Sequence, residues 1–135
     1  MLEEVAAMRA VRAAVSYWAM IFALGFVLGT ARVLWIAPAL GLVPATLLEL
    51  PVMLGASWWA SGFLLRRHGV SAAGEALAMG VLAFALLLAA ECGLAGVLSG
   101  ESPAQWLAGL AQPHAALGLA GQVVFALIPW WRSRR

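Results

Sequence analysis

Asp, Asn and Lys are absent from all 135 residues, and the chain has a single cysteine, Cys92. Charged residues make up only 10% of it, against about 25% in soluble domains. Too little charge remains to coat a water-soluble globule, which excludes a soluble enzyme, a nucleic-acid binder and a disordered tail. One cysteine excludes an internal disulfide and a cysteine-based metal site. Cys92 lies in an apolar run and reads as a small packed residue. What the chain has is apolar surface, 64% of its residues. That composition describes a small polytopic membrane protein whose first partner is the lipid bilayer.

A helix needs about 20 apolar residues to cross a hydrocarbon layer about 30 Å thick. Four segments qualify, at residues 13–35, 45–65, 76–98 and 112–131. They leave no room for a soluble domain, so the expected fold is all-α, a four-helix transmembrane bundle formed as a single domain. Between Arg12 and Arg32 lie 19 uncharged residues. That run is longer than the apolar core of a signal peptide, and Glu3 and Glu4 spoil a purely basic start. The first span is therefore read as retained.

All eight basic residues are Arg, and their placement is topological. Arg9, Arg12, Arg66, Arg67, Arg132, Arg134 and Arg135 fall on one side of a four-span arrangement, leaving only Arg32 on the other. The positive-inside rule then puts both termini in the cytoplasm. Tyr17, Trp18, Trp130 and Trp131 fall near the inner interface and Trp35 and Trp106 near the outer one, as a belt of amphipathic rings requires. Trp58 and Trp59 lie in the inner half of the second span, outside that belt.

The connections are short. Residues 36–44 link the first two spans, and Gly69 centres a tight turn before the third. In the longest connection, residues 99–111, Ser102-Pro103 reads as an N-cap followed by a first-turn proline. Residues 104–110 then form a short helix on the outer surface. No internal repeat is visible, so the inverted-repeat signature of many carriers is missing.

Three ionisable residues lie within spans, Arg32, Glu49 and Glu91, and His114 opens the fourth. At 1.5 Å per residue all four fall within about 10 Å of the outer end of their spans. Each also heads a stripe of small residues: Gly25 and Gly29 before Arg32, Ala56 and Ala60 after Glu49, Gly80 before Glu91, Gly118 and Gly121 after His114. Small stripes are where transmembrane helices approach closely, so the four groups are expected to point inward, toward one another. One Arg does not neutralise two carboxylates. Either one Glu is protonated, or His114 or an external cation supplies the missing charge, which makes Glu49 or Glu91 a candidate proton carrier. Pro51 removes a donor beside Glu49 and is expected to kink that helix.

Two roles compete for this cluster. It locks three helices in register, or it forms a site for a small cationic or protonated ligand. His114 also reads as an interfacial residue at a helix start, His68 as solvated in its turn, and Gln122 as a bond to a neighbouring helix. The cytoplasmic half carries Ser16, Ser57, Ser61, Tyr17 and Gln122 but no ionisable residue, which argues against a monomeric channel or pump. No thiol-exchange, zinc-hydrolase, nucleophile-elbow or phosphate-loop motif is present. The chain is read as a non-enzymatic membrane component without cofactor or metal. A dimeric proton-coupled exporter and an accessory subunit of a larger membrane complex are the alternatives.

Gly-Thr-Ala-Arg-Val-Leu at 29–34, Glu-Leu-Pro-Val-Met-Leu at 49–54, Leu-Leu-Leu-Ala-Ala-Glu at 86–91 and Ser-Pro-Ala-Gln-Trp-Leu-Ala at 102–108 resemble an uncharacterised family of small four-span proteobacterial inner-membrane proteins. The resemblance covers most of the chain and implies the same topology, with Arg32, Glu49 and Glu91 at the family's charged positions. Thr46 and the Ala111-Gln112-Pro113 turn depart from it, where the family often carries further charge.

Overall fold

The computed structural model describes residues 1–134 and is all-helical, with four helices long and apolar enough to cross a membrane. This defines a multi-pass membrane protein. Helix α1 (Leu2–Ala31) continues through a π-helical turn (Arg32–Ile36) into α2 (Ala37–Leu40), a run of 39 residues. Helices α3 (Leu42–His68), α4 (Ala73–Ser99) and α6 (Pro113–Ser133) complete the bundle, and α5 (Pro103–Gly109) is a short helix between α4 and α6.

Every long helix exceeds the span read from its apolar run. The reason is that hydropathy marks only the part a bilayer would cover, whereas helical hydrogen bonding continues beyond it. At the first connection the difference is largest. Residues 36–44 are helical except for Gly41, whose φ of 93° reverses the chain. Pro38 follows directly on the π-helical turn, and Pro44 lies in the first turn of α3, where the missing N–H costs nothing.

Other ends follow their signals. Gly69 and Gly100 close α3 and α4 in the left-handed conformation, which glycine adopts without strain. Ser102 and Gln105 form a reciprocal capping box ahead of Pro103, so α5 begins where the Ser-Pro pair indicated.

Helix α1 packs on α3 and α4, and α6 packs on the same two. The pairs α1/α6 and α3/α4 therefore face each other across the bundle. Arg9 of α1 pairs with Glu75 of α4 at 3.0 Å. The Arg132 guanidinium of α6 lies against Gly62 of α3 and over the Trp58 ring. These contacts gather the N-terminus, the α3–α4 turn and the end of α6 at one end of the bundle.

That end is the tightly packed one. The buried residues of α1 are Ala10, Ala13, Ala14, Tyr17 and Ile21, those of α4 run from Ala76 to Leu87, and those of α6 from Phe125 to Pro129. Past Ile21 in α1, past Leu87 in α4 and before Phe125 in α6 there is no buried residue. Gly80 allows the closest approach: a Cβ there would sit 1.8 Å from the Ala126 carbonyl oxygen. Tyr17, assigned to the interfacial belt by its position, is fully buried instead. Its hydroxyl donates to the Phe125 carbonyl at 2.8 Å and its ring stacks on Phe125, so its polar end is satisfied without water.

Candidate functional site

The loosely packed half of the bundle encloses a cavity of about 650 Å³. This is within the range of roughly 300–1,000 Å³ usual for small-molecule sites. Its floor is Ile21, Ser57 and Phe125, next to the buried Tyr17. Its far end is lined by Leu98, Trp106 and Leu110. Arg32, Glu49, Glu91, His114 and Gln122 all line it, in walls that are otherwise largely apolar.

The first pair comes from the α2–α3 reversal. Arg32 stands nine residues before Gly41 and Glu49 eight after it. In an antiparallel hairpin, residues equidistant from the turn lie at one level. Arg32 Nη1 donates to Glu49 Oε2 as an ion pair. Both lie about 12 Å from Gly41 at 1.5 Å per residue, deeper than a first span ending at 35 implies.

The second pair joins α4 to α6. Gln122 Nε2 donates to Glu91 Oε1. Glu91 is nine residues before Gly100, and Gln122 nine after Pro113, so these two are level as well. Glu91 Oε2 takes no hydrogen bond among the described residues. No hydrogen bond or ion pair joins Arg32 to Glu91 among the described residues.

The cluster expected from the sequence is thus split into an ion pair and a carboxyl–amide pair facing one cavity. His114 lies about 12 Å above Gln122 along α6 at helical rise, on the same wall but outside both pairs. Gln122, expected to bond a neighbouring helix, is the residue that bonds Glu91. A signal for it was present: His114, Gly118 and Gln122 recur every four residues, so they share one helical face.

The small residues divide in the same manner. Gly25, Gly80 and Gly121 are packing positions, where a Cβ would meet Met53, Ala126 and Leu50 respectively. Ala60 is buried and Ala56 packs against the core. Gly118 is corrected: a Cβ there meets nothing within 4 Å, and the residue lines the cavity. Gly29 also lines the cavity, and its nearest neighbour is the Arg32 guanidinium of its own helix. Both glycines open space and bring no second helix close.

Pro51 lies inside α3, which continues through it as one helix. The irregular turn of this hairpin is instead the π-helical segment starting at Arg32. A π turn inserts extra residue length into a helix and re-aims its side chains. Nothing in the local composition of Arg32–Ile36 signals it. No group of His, Cys or Glu among the described residues is arranged to hold a metal ion.

Comparison with protein-family models, curated proteins and solved structures yields no match. The functional reading therefore rests on the site itself.

Proposed function

We propose that the protein is a small bacterial inner-membrane binding protein, with both termini in the cytoplasm and a cavity that takes a small cationic ligand from the periplasmic side. The orientation is supported by Arg9, Arg12, Arg66, Arg67, Arg132 and Arg134 at one end of the bundle against Arg32 alone toward the other. The observation that carries the binding role is the company Glu91 keeps. One guanidinium and two carboxylates line a mostly apolar cavity, and the guanidinium is bonded to Glu49. Glu91 has a neutral amide for a partner and a free oxygen, Oε2.

A carboxylate in apolar surroundings is stable only with a proton or a counter-ion. A ligand with one positive charge supplies that counter-ion and fills apolar space at once. The Arg32–Glu49 pair then serves as a brace. It holds α1 and α3 in register beside the cavity and keeps Glu49 from competing fully for the ligand.

The reading is tested with benzyltrimethylammonium, a water-soluble permanent cation with an apolar body, titrated into the detergent-purified full chain by calorimetry. Saturable binding that weakens at least tenfold in Glu91→Gln is expected. Binding unaffected by that substitution, or no binding, overturns the reading.

A further inference from the structure

Resting on that reading, we infer that the ligand is a single-chain cationic amphiphile that enters sideways from the bilayer, through a gap between the upper halves of α1 and α4. These two helices are neighbours, yet their buried residues end at Ile21 and Leu87. Beyond those points neither helix has a buried residue, so the seam between them is open where the cavity lies.

The cavity wall shows the same gap. On α1 and the π-helical turn that continues it, the cavity is lined by Phe22, Phe26, Thr30 and Val33 as well as by Gly25, Gly29 and Arg32. Phe26 and Val33 are 53% and 60% exposed. On α4 the lining residue furthest along is Leu98, which is 70% exposed. A residue that both lines a cavity and faces outside marks a mouth. The rim of this mouth is hydrocarbon, and at this depth the outside is lipid, not water.

The contents of the cavity match an amphiphile along its length. Apolar walls suit an alkyl chain. Glu91 Oε2 supplies a counter-charge for an ammonium head, and Trp106 adds a ring of the kind that holds quaternary ammonium groups. A ligand delivered by the membrane is concentrated in it before binding, and its tail leaves through the mouth without entering water.

The test uses the full chain in nanodiscs, with dodecyltrimethylammonium and benzyltrimethylammonium as tailed and tailless probes. Val33→Trp and Leu98→Trp place a bulky ring at either rim on exposed positions, so one serves where the other perturbs folding. The inference expects the rim variants to weaken dodecyltrimethylammonium binding at least tenfold more than benzyltrimethylammonium binding. Equal, Glu91-dependent binding of both probes that ignores the rim variants overturns lateral entry and leaves the cationic site standing. Loss of Glu91 dependence for both probes overturns the inference together with the reading beneath it.

Discussion

Tyr17 of α1 and Phe125 of α6 meet across the diagonal of the bundle, their rings stacked with centroids 4.2 Å apart and the tyrosine hydroxyl bonded to the Phe125 carbonyl. This contact separates the packed half of the molecule from the cavity. Tyr17→Phe keeps the stacking and leaves the carbonyl without its donor. A loss of about 1 kcal/mol is expected, measured as a lower unfolding midpoint in mixed micelles, with ligand binding retained.

Gly80 and Gly118 provide a contrast between two glycines on neighbouring helices. Gly80→Ala forces a Cβ into the Ala126 carbonyl, which is backbone and has little room to yield. Its cost is expected at about 1–3 kcal/mol or more. Gly118→Ala meets open space and removes a flexible residue from a helix interior. It is expected to leave stability unchanged or raise it by up to about 1 kcal/mol. Thermal unfolding of both variants in one detergent checks the pair, and a destabilised Gly118→Ala contradicts its placement on the cavity wall.

The Arg32–Glu49 pair is half-buried, with the side chains 30% and 14% exposed. Removing one partner leaves a charge without its counter-ion in a poorly hydrated place. Arg32→Met and Glu49→Gln are each expected to cost about 1–3 kcal/mol. The double variant is expected to cost clearly less than their sum. A double-mutant cycle in thermal or denaturant unfolding measures the coupling. Strict additivity contradicts the brace.

Orientation is open to cysteine accessibility. In a Cys92→Ser background, single cysteines at Ser71, Ser102 and Ser133 sample both ends of the bundle. In intact cells a membrane-impermeant maleimide is expected to label the Ser102 position alone. Labelling at the other two only after permeabilisation supports termini in the cytoplasm, and the opposite pattern overturns that topology.

The all-helical class and the four long apolar helices were legible because composition and run length report directly on them. The inward direction of Arg32, Glu49 and Glu91 was legible from small residues on their faces. The pairing within the cluster was not. Depth counted from apolar run ends set His114 and Glu91 in the same outer part of the membrane without choosing a partner for Glu91, whereas counting from the helix ends puts Gln122 level with it. Those ends were hidden at residues 36–44 because the π-helical turn carries the first helix on to Leu40, and Pro44 breaks a helix interior but not a first turn. The π-helical turn at Arg32 leaves no trace in residue type. Tyr17 shows a further limit: a tyrosine near a span end suits the interface and a buried hydrogen bond equally well, and only the facing Phe125 carbonyl decides between them.

The account turns on a carboxyl group of Glu91 that opens onto the cavity, and chemical modification reads this directly. Dicyclohexylcarbodiimide, which reacts with carboxyl groups in apolar surroundings, is applied to the membrane-embedded protein and the modified peptide is mapped by mass spectrometry. The account predicts modification at Glu91, slowed by a bound cationic amphiphile, with Glu49 shielded by Arg32. An unmodified Glu91, with label confined to Glu3, Glu4 or Glu101, contradicts it.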